Sequence, residues 1–156
     1  MNEAKIQQYG DELYAALRES RAIAPIRERE PELTIEDAYA ISTHLLSLRM
    51  ADGERVVGKK IGVTSRAVQN MLNVHQPDFG YLTDTMLFQS GAKIPISTTM
   101  IQPRAEGEIA FLLRRDLQGP GVTNADVLSA TDQVYPCFEI VDSRIEDWRI
   151  KIEDTV

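Results

Sequence analysis

The sequence has one cysteine, no long apolar run and fewer basic than acidic residues. The single Cys137 excludes an intramolecular disulfide and fits a reducing compartment. No segment approaches the roughly 18 consecutive apolar residues of a membrane helix, and the first residues lack the apolar core of a signal peptide. We therefore expect a soluble, cytoplasmic protein with no membrane partner. The 17 lysines and arginines against 24 acidic residues give a net charge of −7, which repels phosphate backbones and argues against a nucleic-acid partner.

Several well-defined catalytic and nucleotide-binding motifs are also absent. The chain has no phosphate-binding P-loop, no dinucleotide-binding GxGxxG, no zinc-spaced cysteines and histidines, and no GxSxG nucleophile motif. It does have 156 residues of ordinary globular composition, 43% hydrophobic and 26% charged. A chain of this length and composition is typical of one domain-sized fold with a substantial core.

The spacing of apolar residues changes from helical to strand-like near residue 55. Residues 1–54 are predicted to form an N-terminal helical region, because apolar side chains recur at three- and four-residue steps and Thr34 with Asp37 is typical of a helix start. Residues 55–156 are predicted to form a mixed β core, with a turn over 75–80 and strands over 55–64, 81–88, 104–114 and 134–141. The fold class that we expect is α+β.

Glutamates on two predicted strands are the candidate metal ligands. Glu106 and Glu108 are two residues apart, so both carboxylates project from one strand face, and Glu139 lies among apolar neighbours on another strand. Three carboxylates converging from neighbouring strands would form a hard, oxygen-rich site for Mg²⁺ or Mn²⁺. The alternative is that Glu106 and Glu108 form the solvated face of an edge strand, which the spacing alone favours.

Lys60 and Asp78 are candidates for proton transfer. Lys60 stands between Gly58 and Gly62, and its ammonium can donate a proton or hold a carboxylate beside a metal-bound oxyanion. Asp78, in the sequence QPDFG, can act as a general base. The residues alone leave a structural alternative open for each, namely a surface lysine on an edge strand and an aspartate that stabilises a turn.

Three further residues have reactive or charged side chains but no assigned catalytic role. Cys137 is expected to be a small buried side chain rather than a nucleophile, because the neighbouring sequence supplies no positive charge to stabilise a thiolate. The sequence does not define what His75 and Arg144 do.

Several stretches of the sequence together resemble one enzyme family. They are DELYAALRES, IEDAYAIS, VVGKKIGVTSRAVQNMLNVHQPDFGYLTD, IQPRAEGEIAFLL and LQGPGVTNADVLSATDQVYPCFEIVDSRIEDWRIKIEDTV. They resemble the 2-hydroxypenta-2,4-dienoate hydratases, also called 2-oxopent-4-enoate or vinylpyruvate hydratases, of the fumarylacetoacetate hydrolase superfamily. The resemblance covers essentially the whole chain and implies N-terminal helices followed by a β-sandwich or β-roll catalytic core. Family members continue beyond the position of Val156, so we expect the C-terminal strands of that core to be absent from this chain.

The resemblance implies a role for each candidate residue. Glu106 and Glu108 in RAEGEIAF and Glu139 in CFEIVDSR match the family's ligands for a divalent cation, Mg²⁺ or Mn²⁺. Lys60 in GKKIG and Asp78 in QPDFG match its acid–base residues. The implied reaction adds water to 2-hydroxypenta-2,4-dienoate, a small 2-oxo acid in its enol form, and gives 4-hydroxy-2-oxopentanoate in the meta-cleavage degradation of aromatic compounds. The resemblance also implies a homo-oligomer and association with 4-oxalocrotonate decarboxylase.

Two other functions stay open at this point. The first is decarboxylation of 4-oxalocrotonate, which uses a similar metal site on a similar substrate, although the stretch AVQNMLNVHQPDFGYL resembles the hydratases more closely. The second is an inactive metal-binding fragment or a non-catalytic partner subunit, which the early C-terminus of the sequence brings into consideration.

Overall fold

Three helices precede the first strand, and helices and strands alternate after it, in the computed structural model, which describes residues 1–155 apart from the side chains of Met71 and Leu72. The helices are α1 (Glu3–Arg18), α2 (Ile26–Arg29), α3 (Ile35–Ala51), α4 (Arg66–Leu72), α5 (Ile96–Thr99) and α6 (Asn124–Ala130). The strands are β1 (Val56–Gly62), β2 (Asp78–Thr83), β3 (Pro103–Leu113) and β4 (Thr131–Asp142), and single 3₁₀ turns cover Asp84–Met86, Glu146–Trp148 and Ile152–Asp154. This content confirms the predicted α+β class.

The chain divides into two compact units. The first unit comprises Met1–Gln102 and the segment that begins at Ser143, and the second is Pro103–Asp142. The second unit therefore holds β3, α6 and β4. The boundary that the sequence suggests, between a helical region at 1–54 and a β core at 55–156, falls inside the first unit and stays a prediction.

Helix α3 begins at the residue that the sequence predicts. The Thr34 hydroxyl accepts a hydrogen bond from the Asp37 backbone N–H at 3.1 Å, and the Asp37 carboxylate accepts one from the Thr34 N–H at 3.2 Å. This reciprocal pair satisfies two of the free N–H groups at the start of α3. One apolar core contains Tyr9 of α1, Ile26 of α2 and Ile41 of α3, all at most 5% exposed. Among residues 1–155, no helix is both long enough and apolar enough to cross a membrane.

A buried ion pair joins the end of α3 to the hairpin of β1 and β2. The Arg49 guanidinium lies 2.7 Å from the Glu54 carboxylate, and both side chains are less than 10% exposed. The Thr83 and Thr85 hydroxyls donate to the same carboxylate at 2.7 and 2.9 Å. Burial acts to raise the pKa of Glu54, but the hydrogen bonds from Arg49 and the two threonines outweigh it and hold that pKa below its usual value.

Loss of Arg49 is expected to destabilise the first unit strongly. In Arg49→Met the Glu54 carboxylate stays buried without its cation, which costs about 3–5 kcal/mol of unfolding free energy. The control is Arg55→Met, which removes a mostly exposed guanidinium paired with Asp84 and should cost about 1 kcal/mol or less.

The same network predicts how stability depends on pH. Because the folded-state pKa of Glu54 lies below its unfolded value of 4.5, its stabilising contribution is complete above that value. The contribution is lost as the pH falls through the depressed folded-state pKa. Urea unfolding of both variants at neutral and acidic pH measures these effects, and equal losses in Arg49→Met and Arg55→Met would contradict the assignment.

Strand β2 differs from the sequence prediction, which placed a turn at 75–80 and a strand at 81–88. The strand starts at Asp78 and ends at Thr83, where a 3₁₀ turn begins. Cross-strand pairing with β1 overrides the turn preference of the local sequence. The paired residues that were expected in the turn are Asp78 with Gly62, Phe79 with Ile61 and Gly80 with Lys60.

Strands β3 and β4 form an antiparallel ribbon close to the predicted strands at 104–114 and 134–141. One face of this ribbon carries apolar side chains that are largely open to solvent, including Ile109 at 62% and Phe138 at 80% exposure. The other face carries the candidate metal ligands.

Candidate functional site

Glu106, Glu108 and Glu139 lie together on one face of the β3–β4 ribbon. Each offers one carboxylate oxygen, and the three oxygens lie within 4.8 Å of one another. The backbone explains this convergence, because alternation places Glu106 and Glu108 on the same side of β3 and the register sets Glu139 directly opposite Glu106. Glu106 is exposed, and the other two are half-buried. The structure thus brings the three carboxylates together, and their role as metal ligands stays a prediction.

The charge and chemistry of this cluster suit a hard divalent cation. Two like charges about 4 Å apart repel by about 1 kcal/mol in water and by about 4 kcal/mol near a protein surface. A cation between the carboxylates would remove that repulsion. Carboxylate oxygens are the ligands that Mg²⁺ and Mn²⁺ prefer, and three of them leave coordination positions for water and an oxygenated substrate.

Lys60 and Asp78 share one face of the β1–β2 hairpin, in the first unit. Lys60 lies opposite Gly80 and Asp78 opposite Gly62, so the two side chains are diagonal neighbours across the strands. Both are half-buried. Asp78 is the first residue of β2 and is paired with Gly62 of β1. The structure therefore contradicts the alternative that Asp78 stabilises a turn. Its role in proton transfer, like that of Lys60, stays a prediction.

Lys59 has different surroundings from its neighbour Lys60. Alternation puts Lys59 on the opposite face of β1, where its ammonium lies 5.2 Å from the ring centres of both Phe79 and Tyr81. Tyr39 stacks on Phe79 with ring centres 4.8 Å apart. Cation–π attraction to these rings explains the position of the Lys59 ammonium. Lys59 is therefore a suitable control for Lys60.

The expected burial of Cys137 is wrong. Cys137 lies opposite Glu108 on the ribbon and its thiol is exposed, because burial of a strand residue depends on what packs against its face of the strand and not on the apolar character of its neighbours in sequence. His75 is exposed in the loop before β2, and Arg144 is half-buried just after β4. Neither position by itself defines a function.

Sequence reasoning missed two residues beside the candidate sites. Arg104 lies on the same ribbon face as Glu106, two residues before it, and the alternation that linked the glutamates is the signal that finds it. Thr155 donates a hydrogen bond from Oγ1 to Oδ2 of Asp78 at 3.2 Å. No local pattern reveals that contact, since the two residues are 77 positions apart.

Comparison with known proteins identifies the family. The chain matches no family model. A 2-hydroxypent-2,4-dienoate hydratase of Pseudomonas putida is 63% identical over 156 residues, which are 100% of this chain and 70% of that protein. The chain belongs to the 2-hydroxypenta-2,4-dienoate hydratase family.

Other relatives support the hydratase family and its fold. A 2-hydroxyhexa-2,4-dienoate hydratase of Comamonas testosteroni is 64% identical over 152 residues, covering 97% of this chain and 58% of that protein. The solved 4-oxalocrotonate decarboxylase from Pseudomonas putida G7, complexed with magnesium and adipate, is 28% identical with a TM-score of 0.92. That alignment covers 99% of this chain and 60% of the decarboxylase chain. This hydratase-family chain therefore has the α+β fold expected of the fumarylacetoacetate hydrolase superfamily and spans 58–70% of these relatives' lengths.

Proposed function

We propose that the protein is a hydratase that adds water to 2-hydroxypenta-2,4-dienoate and gives 4-hydroxy-2-oxopentanoate, in the meta-cleavage degradation of aromatic compounds. The observation that carries this proposal is the 63% identity, over the whole chain, to a protein named as that hydratase. The identity to the solved 4-oxalocrotonate decarboxylase is only 28%, which favours hydration over decarboxylation.

Glu106, Glu108 and Glu139 are the proposed ligands of one divalent cation, Mg²⁺ or Mn²⁺. The bound cation would supply positive charge to the oxygens of a 2-oxo acid substrate. The three glutamates fit this task because their oxygens already lie within 4.8 Å of one another. They are also held by a paired ribbon rather than by a loop, so the backbone register fixes their spacing.

Lys60 and Asp78 are proposed to move the protons that the reaction requires. The 2-hydroxyl of the dienoate must lose a proton while its terminal carbon, C5, gains one, which gives a conjugated enone. Water then adds to C4, losing a proton, and C3 takes up a proton. A lysine ammonium can donate such protons and an aspartate carboxylate can accept them, and both side chains lie on one face of one hairpin.

Assembly is part of the same proposal. We propose that the protein forms a homo-oligomer and associates with 4-oxalocrotonate decarboxylase. The exposed apolar face of the β3–β4 ribbon, which includes Ile109 and Phe138, supports contact with further polypeptide because exposed apolar patches commonly mark interaction surfaces.

The proposed reaction is tested by giving the 156-residue chain either 2-hydroxypenta-2,4-dienoate or 4-oxalocrotonate, with Mg²⁺ or Mn²⁺ added. We expect the ultraviolet absorbance of the dienoate to disappear as 4-hydroxy-2-oxopentanoate accumulates, measured by mass spectrometry, and no CO₂ from 4-oxalocrotonate. Release of CO₂ would instead identify a decarboxylase. Cation binding without either product would identify a non-catalytic subunit or fragment.

A further inference from the structure

The last residue of β1 lies directly under the Asp78 carboxylate. A Cβ atom built on Gly62 would be 2.2 Å from Oδ1 and 3.2 Å from Cγ of Asp78. Because close-packed side chains do not overlap in this way, the carboxylate occupies space that a side chain at position 62 would need. We propose that Gly62 is a positioning residue that fixes the orientation of the Asp78 carboxylate. This inference rests on the proposed role of Asp78 in proton transfer.

Gly62 is not explained by its backbone conformation. Its φ lies outside the positive range that favours glycine, so other residues can adopt the same backbone. Glycine in a strand also weakens the strand, because it has no side chain to pack and loses more conformational freedom on folding. The Asp78 carboxylate fills the space where a Cβ atom on residue 62 would lie. This contact explains why the position holds a glycine.

The backbone around Gly62 is held in place, so it cannot easily move to admit a side chain. Gly62 is paired with Asp78 at the end of the β1–β2 ladder. The next residue, Val63, has a φ of +53°, which is strained for a β-branched residue. Its carbonyl accepts a hydrogen bond at 3.0 Å from the side chain of Gln69, which is only 6% exposed. The carboxylate of Asp78 lies at the end of a rotatable side chain and is therefore the group that moves.

The second carboxylate oxygen of Asp78 has a separate partner. Oδ2 accepts a hydrogen bond at 3.2 Å from the Thr155 hydroxyl, whose single proton is shared with the Ile152 carbonyl at 2.9 Å. Rotation of the carboxylate away from a methyl group at position 62 would displace this oxygen as well. A substitution at Gly62 therefore changes the direction in which Asp78 presents both oxygens.

The experiment compares Gly62→Ala with Gly58→Ala, which makes the same change on the same face of the same strand. A Cβ on Gly58 meets nothing closer than the Leu82 side chain at 3.7 Å, an ordinary contact. We expect Gly62→Ala to lower kcat about a hundredfold, the loss that misplacing a reacting group by about 1 Å can cause. KM should change by less than about threefold, because the carboxylate is displaced while the rest of the fold is retained. Gly58→Ala should leave both constants close to those of the unsubstituted protein.

A double variant separates positioning from a general structural role. In the Asp78→Ala background no carboxylate is left to displace, so adding Gly62→Ala should cause no further loss of kcat. Multiplicative losses in the double variant would overturn the proposal, because they would show that Gly62 acts independently of Asp78.

The carboxyl ¹³C resonance of Asp78 provides a readout that needs no activity. It should shift in Gly62→Ala and stay in place in Gly58→Ala, and an unshifted resonance in Gly62→Ala would overturn the proposal. An unsubstituted chain that turns over no dienoate would contradict the proposed hydratase function instead, and the resonance would still decide whether Gly62 positions Asp78.

Discussion

Glu106→Gln is expected to lower metal-dependent turnover of 2-hydroxypenta-2,4-dienoate by about a hundredfold or more. Residues that only hydrogen-bond to a metal ligand already contribute about 10–100-fold to metal affinity or activity, and loss of a ligand itself should cost at least as much. Glu106 lies opposite Glu139 and two residues from Glu108 on the same strand face, so it neighbours both of the other proposed ligands. Glutamine keeps the shape of the side chain and removes its negative charge. Steady-state kinetics over a range of Mn²⁺ concentrations measures the loss.

The fold should survive this substitution. Removing one of three neighbouring negative charges relieves repulsion, so the metal-free variant should unfold at the same temperature as the unsubstituted protein or higher. Glu32→Gln is the matched control, since it makes the same chemical change at an exposed glutamate outside the cluster. Unchanged turnover of Glu106→Gln with added Mg²⁺ would refute its assignment as a metal ligand.

Lys60→Met is expected to reduce kcat by about 10²–10⁴-fold, the usual contribution of a general acid or base. Methionine keeps much of the aliphatic length of lysine but has no ammonium to donate a proton. Affinity for Mn²⁺ should stay unchanged, because the proposed ligands belong to β3 and β4 rather than to the hairpin of Lys60. This pattern differs from that of Glu106→Gln, where metal affinity and turnover fall together.

Lys59→Met is the control for this prediction. It removes a lysine of the same strand that lies over the Phe79 and Tyr81 rings on the opposite face, so only a small loss of stability is expected. If Lys59→Met and Lys60→Met reduce kcat equally, the proton-transfer role of Lys60 is wrong.

The strands that carry the glutamates were predictable because strand residues alternate between faces. Alternation places Glu106 and Glu108 on one side of β3 without any knowledge of the fold. That Glu139 lies opposite Glu106 depends on the register of β3 and β4, which is set by contacts between residues far apart in the sequence. The sequence therefore indicated which residues are candidate ligands, and the structure was needed to show that their carboxylates lie together.

The surroundings of Asp78 show the limit of local sequence signals. The QPDFG sequence favours a turn, yet pairing with β1 makes Asp78 the first residue of a strand. Its contacts with Gly62 and Thr155 likewise come from strand pairing and from a distant segment. The prediction that Cys137 is buried failed for a related reason, since its burial depends on what packs against the ribbon and not on its apolar neighbours in sequence.

The most direct measurement is an anomalous-difference map, at the manganese absorption edge, from crystals of the protein grown or soaked with Mn²⁺. We predict one strong peak about 2.1 Å from carboxylate oxygens of Glu106, Glu108 and Glu139. Loss of that peak in crystals of Glu106→Gln would complete the assignment. A map with no peak at the three glutamates, or with the cation bound elsewhere while their carboxylates face solvent, would contradict it.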